Sequence, residues 1–133
     1  MITYYQANRI LDRSFGNQNY TVPSPMYVGL STTTIQNDGT GATEPTGGYA
    51  RVSVTNADKT NWTTALNGVL SNVNSITFPE STLSWGTITY VFISDQATGG
   101  NIMYFDALSP SRAVQSATTV LFVAGAMVIS MTN

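Results

Sequence analysis

Neither cysteine nor histidine occurs among the 133 residues. Without cysteine there is no disulfide framework and no thiol nucleophile. Without histidine the commonest general base, the commonest metal ligand and the usual near-neutral proton switch are missing together. Charge is scarce as well: ionisable Asp, Glu, Lys and Arg make up 9% of the chain, against roughly 25% in an average soluble domain. Membrane-length apolar runs are absent too. The longest apolar-rich stretch, Val120 to Met131, contains Gly125 and Ser130 and is too short to cross a bilayer as a helix. The opening Met1-Ile2-Thr3-Tyr4-Tyr5-Gln6 has neither the basic start nor the apolar centre of a secretory signal. The expectation is a protein with no membrane partner, kept in the cytoplasm of its host until it assembles.

Thr, Ser, Asn and Gly take the place of the missing charge. The five basic residues, Arg9, Arg13, Arg51, Lys59 and Arg112, are scattered apart from the Arg9/Arg13 pair, and the formal net charge is −2. Binding a phosphate backbone requires clustered cations, so no nucleic-acid partner is expected. A surface of uncharged hydroxyls and amides suits burial against other proteins, because interface cores are depleted in charge. A β domain rich in Ser/Thr turns is the plainer explanation of the same composition. The length fits one domain with an apolar core of its own.

One helix is legible, at the N-terminus. Thr3 is placed to cap it, with Gln6 completing a capping-box pattern. Tyr4, Ala7, Ile10, Leu11 and Phe15 recur on one side, Arg9, Asp12 and Arg13 fall toward water, and Gly16 is a natural stop. Such a segment, residues 1–16, is either a lid on the core or a docking arm for a body spanning residues 17–133.

Beyond a turn-rich linker the periodicity becomes alternating. Met26 to Ser31 places Met26, Val28 and Leu30 on one face. Residues 36–48 form a glycine- and proline-broken loop. Tyr49 to Thr55 sets Ala50, Val52 and Val54 opposite Tyr49, Arg51 and Ser53. Residues 56–74 read as a wandering strand or a helical turn, and Ser75 to Phe78 as a short strand. Gly86 to Ser94 sends Ile88, Tyr90 and Phe92 one way and Val91 and Ile93 the other, as a central strand would. After the turn at residues 96–100 comes Asn101 to Leu108, ended by Ser109-Pro110-Ser111. Thr118 to Val123 and Ala126 to Thr132 close the chain. The expected fold class is mainly β: an antiparallel β-sandwich or jelly-roll-like barrel of about eight short strands with one short N-terminal α-helix.

The parts for catalysis are not supplied. The carboxylates are Asp12, Asp38, Glu44, Asp58, Glu80, Asp95 and Asp106, mostly in or beside turns, and no local motif presents two together. Asn37-Asp38-Gly39 lacks the alternating acids of a calcium loop and reads as turn chemistry. Gly39-Thr40-Gly41 is followed by no Lys-Ser/Thr and is not a phosphate loop. No enzymatic activity, catalytic residue, cofactor or metal is therefore expected. Aromatics are the remaining candidates for recognition: Trp85 and Tyr90 are placed in the core, whereas Tyr49 and Trp62 serve equally well as core or contact residues.

Several stretches together carry a resemblance. They include Met26-Tyr27-Val28-Gly29-Leu30-Ser31-Thr32, Thr43-Glu44-Pro45-Thr46-Gly47-Gly48-Tyr49-Ala50-Arg51-Val52, Ser84-Trp85-Gly86-Thr87-Ile88-Thr89 and Asp95-Gln96-Ala97-Thr98-Gly99-Gly100-Asn101. In this order they resemble a family of small tailed-phage virion proteins, labelled tail fibre or head decoration (cement) proteins. The resemblance implies a structural subunit contacting phage capsid or tail proteins, with the Glu-Pro-x-Gly-Gly-Tyr-Ala-Arg turn as a fold determinant. It also implies a homo-oligomer, with a trimer expected for a cement protein. With no repetitive shaft in the sequence, capsid cement is favoured over a tail fibre or tip. A carbohydrate-binding module is the third reading. Candidate interface residues are Tyr4, Ile10, Leu11, Phe15, Tyr49, Arg51 and Trp62.

Overall fold

A computed structural model describes residues 1–57 and 59–131. Asp58 and Thr132, counted above among the carboxylates and in the last strand, lie outside the described residues, as does Asn133. The fold is mainly β, with eight strands in antiparallel sheets and one short helix, α1 (Tyr4–Ser14). The main sheet has the order β2-β1-β5-β6, from β1 (Met26–Ser31), β2 (Val52–Val54), β5 (Gly86–Ser94) and β6 (Ile102–Val114). A second layer is built from two short ladders, β3 (Val69–Ser71) with β8 (Val128–Ser130) and β4 (Ile76–Thr77) with β7 (Leu121–Phe122).

Alternation along β1 does what its sequence implies. Val28 and Leu30 enter the main core with Val54, Ile76, Phe78, Trp85, Ile88, Ile93, Met103 and Val114. Between them Gly29 faces the other side, where a Cβ would lie 2.3 Å from the Phe92 ring. Phe92 belongs to a smaller core with Ile35, Ile102 and Phe105 beneath the loop that follows β1. The sheet is thus covered on both faces, which is why β5 is apolar on both sides.

Pleat counting fails where the register slips. The β5–β6 ladder shifts between Ile88 and Tyr90 and again between Ile93 and Ser94. Ile88 therefore joins Ile93 in the main core, whereas Tyr90 and Phe92 belong to the smaller one. The expected grouping of Ile88 with Tyr90 and Phe92 is corrected by that bulge. Pro110 does not end its strand. β6 runs on to Val114 with extra residues opposite Thr89, and as the edge strand it tolerates a residue with no N–H. β2, β7 and β8 are shorter than their alternating segments.

The second layer is in effect one ribbon with a break, and Asn72 fills the break. Its side chain donates to the carbonyls of Asn74 (2.9 Å) and Val123 (3.0 Å) and accepts from the Met127 N–H (2.9 Å). Its backbone donates to Met127 O (3.2 Å) and accepts from the Gly125 N–H (2.8 Å). Asn72 is 2% exposed, so its polar atoms must find partners inside the protein. Asn72→Ala leaves three backbone groups without these bonds and is expected to lower stability by about 2–4 kcal/mol. Denaturant unfolding followed by tryptophan fluorescence measures it, and Asn72→Asp should be comparably damaging because both amide donors are lost.

Candidate interaction site

Arg51 and Tyr49 sit where the Gly47-Gly48 turn delivers the chain into β2. Both glycines are left-handed, and a Cβ would lie 2.7 Å from Leu83 Cβ at Gly47 and 2.9 Å from Glu80 O at Gly48. The Trp85 indole N–H donates to Gly47 O at 2.8 Å, fastening the turn to the core. Tyr49 packs against Phe78 and Trp85 at centroid distances of 6.2 and 5.5 Å. Its ring is on the core side, opposite to the face expected from alternation, because regular β2 begins only at Val52.

Glu44 ties these residues together. Arg51 forms a bidentate pair with it, Nε to Oε1 at 2.8 Å and Nη2 to Oε2 at 2.9 Å. The Tyr49 hydroxyl donates to Oε1 at 2.7 Å and accepts from the Leu30 N–H at 3.0 Å. From its other side Arg51 Nη1 reaches Ser94 Oγ, Gln96 O and Gly99 O at 2.7–3.0 Å. The guanidinium carbon lies 5.1 Å from the centre of the Phe92 ring. Burial alone would raise the Glu44 pKa, but hydrogen bonds from Arg51 and Tyr49 and the Arg51 charge outweigh it and hold the carboxyl below its ordinary value. Burial, then the hydrogen bond to Glu44, pushes the Tyr49 phenol far up, so it stays a neutral donor. With its side chain 6% exposed, Arg51 directs its polar groups into the chain itself.

The helix presents a different kind of surface. Thr3 caps it, with Oγ1 accepting from the Gln6 N–H at 3.3 Å. The reciprocal half of a capping box is not made. The Thr3 N–H donates to Met103 O at 2.9 Å, and Gln6 turns inward to meet Tyr104 and Tyr20. Ile2 pairs with Tyr104 and the Phe105 N–H donates to Met1 O at 3.0 Å, so the N-terminal residues extend the sheet at the β6 edge.

This attachment turns α1 over. Arg9, expected in water, lies inward between the rings of Tyr5 and Tyr20, 5.3 and 4.7 Å from their centres. Two aromatic faces supply what the solvent would otherwise give the guanidinium. The opposite side is apolar and open: Tyr4 is 58%, Leu11 54% and Phe15 81% exposed, with Ile10 half-buried at the flank. A surface helix normally buries its apolar stripe. Here Gln6 and Arg9 face the body while Tyr4, Leu11 and Phe15 face out with Asn8 among them, and Arg13 is exposed as expected.

Of the candidate residues, then, Tyr4, Leu11 and Phe15 share an open face, and Tyr49 and Arg51 share an internal network. Trp62 is separate from both. It packs against the main core, with Nε1 buried and unpartnered among the described residues. Glu44, the organising residue of the network, was not singled out by sequence; its place in Glu-Pro-x-Gly-Gly-Tyr-Ala-Arg was the available signal. No group of three or more carboxylates able to hold a metal occurs among the described residues. Nor is any helix among them long and apolar enough to cross a membrane.

Residues 1–130 match the family model described as Podophage GP4 fiber I protein gp80. The chain belongs to that family. It is accordingly a bacteriophage structural protein of the virion, and the tail-fibre alternative of the sequence reading fits the family's description. No curated protein sequence matches the chain.

Arg51→Lys keeps the charge but loses the fork to Glu44 and the bonds to the β5–β6 turn. It should cost roughly 2–4 kcal/mol in chemical denaturation. Because folding lowers the Glu44 pKa, its contribution is complete above the unfolded value of about 4.3 and is lost as pH falls through the folded one. Stability of the native protein should therefore drop more steeply in that acid range than stability of Glu44→Gln.

Proposed function

We propose that the protein is a non-enzymatic fibre-type subunit that joins the phage particle through the outward face of α1, using residues 1–16 as an arm on the β body of residues 17–133. The observation that carries this reading is the open side of the helix, where three large apolar side chains meet water while Gln6 and Arg9 turn inward. Tyr4, Leu11 and Phe15 expose roughly 350 Å² of largely apolar surface, taking about 200 Å² for each aromatic side chain. They stand at i, i+7 and i+11, on one side of the helix as anchors of a helix seated in a groove would be, with Asn8 between them. The partner is a neighbouring capsid or tail protein that supplies the groove. Against catalysis stand the absent histidine and cysteine and the carboxylates committed to turns, such as Asp38 bonded to Thr40 and Asp95 bonded to Asn101.

Head decoration is the second reading. It is favoured by the compact two-layer body, whose described residues contain no repeated shaft unit. In that placement the same helix would reach a joint between capsid subunits.

The test is addition of purified protein to particles lacking it. Leu11→Ser with Phe15→Ser should lower particle binding at least tenfold while the unfolding midpoint moves little, since both residues are exposed. Gold-labelled protein viewed by electron microscopy then separates tail from head. Undiminished binding by the double variant would remove α1 from the attachment.

A further inference from the structure

The outer face of the second-layer ribbon carries exposed apolar side chains beside small hydroxyls, with Val69 opposite Ser130, Val128 opposite Ser71 and Leu121 opposite Thr77. Backbone bonds or strand register join Gly68 to Met131, Val69–Ser71 to Val128–Ser130, Asn72 to Met127, Ile76–Thr77 to Leu121–Phe122 and Phe78 to Val120. Ile76, Phe78, Val120, Phe122, Met127 and Ile129 serve the core. The residues alternating with them should be polar if that side met water permanently. Instead Val69 is 38%, Leu121 51% and Val128 55% exposed beside Ser71, Thr77 and Ser130, with Val73 and Val123 at 44% and 58% and Leu66 in the adjoining turn at 74%. Beside Leu121 and Val123 the surface dips into a groove of about 310 Å³ lined by Ile88, Leu108, Pro110 and Phe122 and also by the exposed Arg112, a charge next to the ribbon but outside its strands.

The strands of this ribbon are free of charge. Residues 60–79 and 113–131 contain no ionisable side chain.

We infer that the outer face of this ribbon is the contact between copies of the chain. Two arguments choose a second copy as the occupant. The first is area. These six side chains expose on the order of 400 Å², close to the apolar share expected of an interface burying about 800 Å² on each partner. The α1 face alone is smaller. The second is charge. In a two-fold contact the residues near the axis meet their own equivalents, so any charge there faces its own sign. A charge-free strip is what such a contact requires, whereas recognition of a different protein commonly draws on complementary charge.

The inference rests on the structural role proposed above but uses a surface distinct from α1, so the two can fail separately. Sedimentation velocity of the full chain, from micromolar to sub-millimolar concentration, should show a reversible oligomer. Leu66→Thr with Val128→Thr should weaken it about 100-fold with circular dichroism unchanged, and Leu11→Ser with Phe15→Ser should leave it intact. Should the first pair disturb folding, Val128→Cys decides. In a chain with no other thiol, oxidation should give a covalent dimer faster than Thr98→Cys on the β5–β6 turn. A wild type that stays monomeric, a threonine pair that associates as tightly as wild type, or equal cross-linking at both positions overturns the contact. A monomeric wild type that still binds particles through α1 would do so without touching the proposed attachment.

Discussion

The pairing of Glu44 with Arg51 is the contact on which the sheet depends. Four pieces of chain with little regular structure between them converge there: the loop carrying Glu44, the start of β2, the end of β5 and the β5–β6 turn. Tyr49 adds β1 through the Leu30 N–H. In a chain this poor in charge, a bidentate ion pair with nearly every donor used is worth more as a positional device than as a source of stability. It holds β2, only three residues long, at the sheet edge, and it closes Phe92 and the smaller core from above. The absent Cβ at Gly29 and the left-handed pair Gly47-Gly48 supply the two shapes that this arrangement needs.

What could be read in the sequence follows from which forces act locally. β1 and β5 were legible because a period of two needs only neighbours, and the strand bounds agree with the alternation. Thr3 and Gly16 marked the helix because capping is a property of a few adjacent residues. The bulges in the β5–β6 ladder were not legible: they depend on how many residues β6 spends opposite Thr89, a quantity set across the sheet. The side on which Tyr49 lies was lost for a related reason, since strand geometry begins three residues later than the pattern. Residues 56–74 were ambiguous because their strand pairs with β8, more than fifty residues away.

The orientation of α1 is the most instructive case. An amphipathic pattern states that two faces differ, and the usual inference that the apolar one is buried assumes that solvent is the only alternative. Here the first residues are sewn to the β6 edge by Ile2 and Thr3, and that attachment fixes which side of the following helix meets the body. Gln6, Arg9 and Tyr5 then find partners in Tyr104, Tyr20 and Asp95, partners visible only once the strands are assembled. Read alone, the stripe of Tyr4, Leu11 and Phe15 was compatible with either a lid or an arm; the backbone pairing of Met1–Thr3 turns it outward.

Exposed apolar surface of this kind in a phage structural protein changes the meaning of the missing charge. Charged surface keeps a protein dispersed, and a subunit that must be buried on several sides would have to desolvate every such group on assembly. A chain that carries Thr, Ser and Asn between its outward Leu, Val and Phe avoids that cost, and hydroxyls and amides can still be matched across a contact. Arg51 and Arg9 are spent within the fold, whereas Arg112 lines the groove beside the ribbon, outside its strands. On the proposed attachment and self-contact, the composition, the outward side of the helix and the exposed leucines and valines of the ribbon are one feature seen three times: a surface that other polypeptides complete.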